Sequence, residues 1–480
     1  MTAKSSPARA PELPHLFGAS LLPRVFAALF GAFLGLGLLK FGNPPIMEKY
    51  TTNPEDIYQV IFASPWPIGW AYVLLGGLVF AGLFAVWGDG RRWFQVTCSG
   101  RGTVRGPGEG APLWIVGLAV TWLAWQILAA SRSIDPALSS ATVRHFSACV
   151  VCFLLGWFAL SACDRMGLFW SGLIGGLTVV LLIGWEQHFG GLQRTRDYFY
   201  LYIYPTMNEV PPEYLKKISS SRIFSTLFYP NSLAGALLLL LPCSLGVLWS
   251  STRNQFTQPA RILLLGVVAV MALACLFWSG SKGGWLLMLL LAIAAMLRLP
   301  LKTSLKVSIV AIVLVCGVAG FAWKYADFFK KGATSVGARF DYWRAAIQVA
   351  RENAVYGTGP GTFAKPYAQI KDPESEMTRL VHNDYLEQAS DSGAIGFAAY
   401  VAFIVIGIAF AYPGGQNGDW MRFGTWLGLV GWSLQSLIDF SLYVPAIAWC
   451  AFALLGWLLG TRTRTAAGAV IDIDKSIDKP

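Results

Sequence analysis

Apolar runs long enough to cross a bilayer recur along the whole chain. A helical span needs about 20 mostly apolar residues. Twelve segments fit: 23–41, 68–88, 112–131, 145–163, 168–185, 229–249, 261–279, 283–299, 305–323, 393–412, 423–441 and 442–460. The pattern predicts an all-α, polytopic integral membrane protein of about 12 transmembrane helices. The chain then divides into a tail (1–22), a bundle of nine spans (23–323), a large helical loop (324–392), three more spans (393–460) and a second tail (461–480). A further long loop, 186–228, interrupts the first bundle.

Lysine and arginine set the orientation. With the N-terminus inside, the inner segments carry eighteen Lys and Arg, and the short outer loops carry five. The two long loops, 186–228 and 324–392, then lie outside and hold the other fourteen. Long loops do not vote on topology, so those fourteen need another explanation. The first 20 residues are polar and Pro-rich, and no signal peptide is expected.

Composition agrees with this picture. Hydrophobic residues make up 55% and charged residues 13%, against about 25% charged in a soluble domain. Twenty Trp, 30 Phe and 17 Tyr suit long lipid-water boundaries. Disordered, collagenous and disulfide-scaffold classes are excluded. The net charge of +11 would suggest nucleic acid in a soluble protein; here it reads mainly as topology, and no nucleic-acid partner is expected. Cys149 and Cys152 have metal-like spacing but sit in an apolar run, where free Cys acts as a small hydrophobe.

The outer segments hold the candidate chemistry. Arg222 lies in SRIFSTLFYPN, where Tyr229, Pro230 and Asn231 break the backbone at the mouth of a span; Asn231 is suited to satisfy the freed groups. SGSKGGW places Lys282 at a span end, either snorkelling or contacting a phosphate. It is not a P-loop. ARFDYWRAAIQVAREN, 338–353, predicts an amphipathic helix with Phe340, Trp343, Ile347 and Ala350 on one face and Arg344, Gln348 and Arg351 on another. Gly357, Gly359 and Gly361 predict a sharp turn, with Pro360 arguing against a dinucleotide fingerprint. In VHNDYLEQASDSGAIG, His382, Tyr385, Leu386 and Ala389 are expected to share a helical face. The loop also supplies Arg339, Arg379, Glu387 and Asp391. Arginines grouped with one His and no metal-ligand spacing suit an anionic leaving group. No metal or cofactor is expected.

Three segments together resemble the O-antigen ligase and Wzy-type polymerase family of bacterial membrane glycosyltransferases. They are Arg222 with the following Phe-Ser-Thr-Leu-Phe-Tyr-Pro-Asn; Ser279-Gly-Ser-Lys-Gly-Gly; and Arg339, Trp343-Arg344, Gly357-Thr-Gly359, His382-Asn383-Asp384-Tyr385-Leu386 and Gly393-x-x-Gly396. The resemblance covers about 222–396. It implies transfer of a glycan from undecaprenyl pyrophosphate at the outer face of the inner membrane, with the active loop in the periplasm. It also implies membrane lipids as surroundings and lipopolysaccharide biosynthesis as the setting. The acceptor is the lipid A core for a ligase, another lipid-linked glycan for a polymerase, and Ser or Thr for a protein O-oligosaccharyltransferase. Carried across, His382 is the base or the residue that orients the acceptor. Arg222, Lys282, Arg339, Arg344 and Asn383 hold pyrophosphate or glycan, with Glu387 and Asn231 in support. Lys282 stands where the family usually has Arg, so a point charge replaces a two-pronged donor. The rival reading is a transporter or flippase. Against it, no repeat relates the halves, and the spans carry few ionisable residues. Asp439 is the main one, expected to face a pore or pair helices.

Overall fold

A computed structural model describes residues 21–477 apart from 52, 63, 88–110, 207–214, 216–217, 331–333 and 415–418. Most of the N-terminal tail, Lys216, Lys217 and the inner arginines at 91, 92, 101 and 105 therefore lie outside the described residues. Among the described residues the protein is helical, with no strand. Each predicted span overlaps a helix, although 423–441 runs past the end of its helix at Gln435. In chain order these are α1 (Leu21–Lys40), α2 (Ile68–Trp87), α3 (Trp114–Ala130), α4 (Pro136–Leu154), α5 (Gly167–Glu186), α6 (Pro230–Ser251), α7 (Gln258–Ser279), α8 (Lys282–Arg298), α9 (Thr303–Lys330), α10 (Thr334–Glu352), α11 (Asp384–Ala411), α12 (Trp420–Gln435) and α13 (Pro445–Ile477). Of these, α10 is the predicted amphipathic loop helix.

Nine helices among the described residues are long and apolar enough to cross a membrane. This is a polytopic membrane protein. The predicted number of twelve rests on three shorter helices as well. These are α3 and α8 with 17 residues each and α12 with 16.

Lipid tails are as apolar as Leu, so helices in a bilayer gain most by bringing backbones close through small residues. Two contacts show this. On α1 and α5, a Cβ built on Gly176 would stand 2.5 Å from the Gly35 Cα, and Gly31 and Gly172 face each other one turn along. On α6 and α12, Gly424 and Gly428 abut the carbonyls of Pro242 and Leu239. At its centre lies α13: Trp449, Phe452 and Leu454 are almost entirely covered. At the periphery lies α9, which has no fully buried residue in its apolar stretch but packs on α8, where Trp285 Nε1 donates to Gly317 O at 3.3 Å.

Two departures from straight helices build the site end of the bundle. First, α11 breaks at Gly393 (φ 69°, ψ −173°), leaving a short arm, 384–392, buried among its neighbours. Second, residues 436–444 run without α-helix between α12 and α13, and nearly all are buried. Buried irregular backbone must find partners. Here it does. Ser436 O accepts from Asp384 N at 2.8 Å, Leu442 N donates to Asp384 Oδ2 at 2.8 Å, and Leu442 O lies 2.8 Å from His145 Nε2.

The close crossing predicts an asymmetry along α5. Gly176→Ala forces its Cβ into α1 and should destabilise by about 1–3 kcal/mol. Gly175→Ala, with nothing within 4 Å of the added atom, should be neutral or slightly stabilising. Thermal unfolding of the detergent-purified protein reads both; equal effects would overturn the crossing.

Candidate active site

His382 does not lie on the helical face predicted for it. The helix starts two residues later, because Asn383 is its N-cap: Asn383 Oδ1 accepts from Tyr385 N at 3.1 Å and from Leu386 N at 3.0 Å. Asn is among the best residues for that position, and this signal went unused in the periodicity reading. His382 itself sits in the left-handed region, φ 55°. Such a residue costs on the order of 1–3 kcal/mol and persists where its surroundings over-determine it. Three contacts do so. Val381 N donates to Glu387 Oε2 at 2.6 Å, the cap fixes the next residue, and His382 Nδ1 meets Asp439 Oδ1 at 3.1 Å.

The partnership with Asp439 is the feature the sequence reading missed. Asp439 neither faces a pore nor pairs helices; it lies in the irregular 436–444 segment with its side chain 2% exposed, against 26% for His382. A lone carboxylate in an apolar stretch was the available signal. Its partner is 57 residues away, beyond any local pattern. With Nδ1–H donating to Asp439, Nε2 keeps its lone pair. Phe440 packs edge-on to the imidazole at 4.8 Å, and Tyr342 of α10 lies over it at 6.0 Å.

Cations gather beside this pair. Arg222 Nε donates to Ser279 O at 2.7 Å, and Arg222 Nη2 donates to Asn231 Oδ1 at 3.0 Å. Gly280, at φ 62°, lies under the guanidinium, where a Cβ would come 3.1 Å from Nε. Asn231 thus holds Arg222 rather than the backbone. Burial lowers the Arg222 pKa from its ordinary value; Tyr325 and Asp439 act in the other direction, and Arg339 adds to the lowering. Lys282 lies 5.1 Å above the Tyr325 ring and feels the charges of Arg222 and Arg339. Arg339 Nε is buried and has no hydrogen-bond partner among the described residues. Arg379 joins the group from the loop before His382, since its charge and that of Asp439 both reach Tyr229.

Two predictions for α10 need correction. Its buried face is Tyr342, Ala345, Ala346 and Val349, whereas Phe340 and Ile347 are 50% and 40% exposed. Of the large apolar residues predicted for its face, Phe340 and Ile347 point away from protein, while Trp343 is half-buried against this packed face. Arg344 is not brought to the cations: its side chain is 81% exposed and pairs with Asp341 at 3.6 Å.

Glu387 and Asp391 lie beneath the site, fully buried. Asp391 Oδ2 accepts from Gly361 N at 2.6 Å and from Tyr443 OH at 3.0 Å. The predicted Gly turn is present, with Gly357, Gly359 and Gly361 all at positive φ. It docks on the short arm of α11, where Thr358 N donates to Ser390 O at 3.0 Å.

Residues 267–401 match the family model described as O-Antigen ligase. Over those residues, less than half of the chain, the protein is similar to that family. The matched stretch contains Lys282, Arg339, His382 and Glu387, while Arg222, Asn231 and Asp439 lie outside the matched residues. A Haemophilus influenzae protein described as uncharacterised is 28% identical over 171 residues, 31% of this chain. The match spans 43% of that relative's length.

The Glu387 tether is testable by itself. Glu387→Ala leaves the Val381 N–H buried without an acceptor and should cost about 1–3 kcal/mol. Glu387→Gln keeps an acceptor oxygen and should cost clearly less. Equal losses in thermal unfolding would show that the hydrogen bond is not what matters there.

Proposed function

We propose that this protein is an O-antigen ligase-type glycosyltransferase of the bacterial inner membrane, with the site end of the bundle in the periplasm. It moves a glycan from undecaprenyl pyrophosphate to an acceptor hydroxyl on the lipid A core. The observation that carries the reading is the His382–Asp439 pair beside Arg222, Lys282 and Arg339. The family match supports it.

In the proposed reaction the acceptor oxygen attacks the donor's anomeric carbon from the face opposite the leaving group. Its proton passes to His382 Nε2. The bond between the anomeric carbon and the pyrophosphate oxygen breaks, and the electron pair leaves with the pyrophosphate. Asp439 fixes the imidazole through Nδ1 and stabilises it once protonated, which makes Asp439 a positioning residue. Arg222, Lys282 and Arg339 stabilise the negative charge that grows on the leaving group. Lys282 contributes there as a point charge, so paired hydrogen bonds to the phosphates fall to the two arginines. Glu387 and Asn383 hold His382 in place rather than touching substrate. Arg344 has no part in this site.

Transfer to another lipid-linked glycan or to protein Ser and Thr would use the same site. The product in a deletion strain separates them. Glycan lost from lipid A indicates a ligase, single units where chains were expected indicate a polymerase, and glycan lost from proteins indicates an oligosaccharyltransferase.

His382→Ala expressed in a strain lacking the native gene should lower transfer by roughly 10²–10⁴-fold. Normal transfer at normal protein level sinks the role. Asp439→Asn should also lower the rate while leaving donor binding largely intact; unchanged turnover would remove Asp439 from the mechanism.

A further inference from the structure

A cleft of about 430 Å³ opens beside Arg222, within the ~300–1,000 Å³ of small-molecule sites. Arg196, Arg222 and Lys324 line it, and no carboxylate is among its described lining residues. A pocket walled this way favours an anion. Arg196 is committed to the wall, donating to Ile218 O at 3.0 Å and Ser220 O at 2.8 Å. Lys324 comes from α9 and lies 3.2 Å from the Phe277 ring centre. Lys324 and Arg222 are close enough to feel each other's charge.

The cleft also holds a flat aromatic platform. The His188 ring stacks on Trp278 at 3.8 Å with an 8° tilt. Trp278 is itself wedged edge-on by Trp185 at 5.0 Å and by Phe189 at 5.6 Å. Those contacts hold the Trp278 plane, and Trp278 holds the plane of His188. His188 is exposed, so the ring face turned from Trp278 is offered to a ligand. A prenyl chain would not choose walls bearing Gln193, Arg196 and Lys324. A phosphorylated sugar would: its phosphate meets the cations, and the C–H face of its ring packs on an aromatic plane.

We propose that this cleft seats the first sugar of the donor, with Arg222 and Lys324 at its phosphate and His188 stacked beneath the ring. The inference deepens the glycosyl-transfer reading and rests on it. Arg222 then belongs to both halves of the site, reaching the sugar phosphate on one side and the field of Asp439 on the other.

The test compares two probes on the full chain in lipid nanodiscs: undecaprenyl pyrophosphate and undecaprenyl pyrophosphoryl-N-acetylglucosamine. The sugar-bearing lipid should bind about tenfold tighter to the unaltered protein. His188→Ala should erase that preference and leave the affinity for the bare lipid unchanged. His188→Phe, which keeps a flat ring, should retain most of it. Lys324→Gln should weaken both probes. Equal affinities for the two lipids on the unaltered protein overturn the proposal, as does a preference that survives His188→Ala. If neither lipid binds better than undecaprenol, the donor reading itself fails and the inference falls with it.

Discussion

Everything at the site end of the bundle depends on a carboxylate that holds up a stretch of backbone. Asp384, the first residue of α11, accepts from Leu442 N through Oδ2, while its own N–H donates to Ser436 O. Between those anchor points the chain has no α-helix to pair its polar groups, and in an apolar setting each unpaired group would cost several kcal/mol. Asp384 pins both ends. The loop it stabilises carries Asp439, and the residue two before it in the chain is His382. One anchor therefore sets both members of the dyad.

The cations pose the opposite problem. Arg222, Lys282 and Arg339 lie close enough to repel one another. That repulsion works against folding, and Asp439 offsets part of it at Arg222. On the proposed function, an anionic donor entering the site would add attraction to these cations. Ligand binding and protein stability are thus linked, since whatever binds the folded state alone stabilises it. Sites of this kind trade stability for function.

Much of this was legible in the sequence, and the failures have physical causes. Span positions follow from apolar length, which dominates in a bilayer. Arg222 and Lys282 stood out as charges at span ends, and Arg339 and His382 as members of a long loop where arginines gather with a single His. Asp439 was visible as a buried acid, but its role was not, because pairing at 57 residues' separation is a tertiary fact. The face of α10 was misjudged for a subtler reason. Helical periodicity says which residues lie together, not which side meets protein. Near a bilayer, Phe340 and Ile347 have no need of a protein neighbour, while Tyr342 and the small Ala345 and Ala346 do the packing.

The peripheral position of α9 links the site to the surrounding lipid. A span with no fully buried residue in its apolar stretch meets lipid along much of its length, so a mismatch with the surrounding bilayer acts on its tilt against the packing that holds it to α8. The end of that span carries Lys324 and Tyr325, which stand against Phe277 and below Lys282. A thinner or thicker membrane would tip the helix and move these groups relative to the anchored Arg222. On the proposed function, the lipid around the protein then bears on the shape of the site, and acyl-chain length becomes a variable of the reaction.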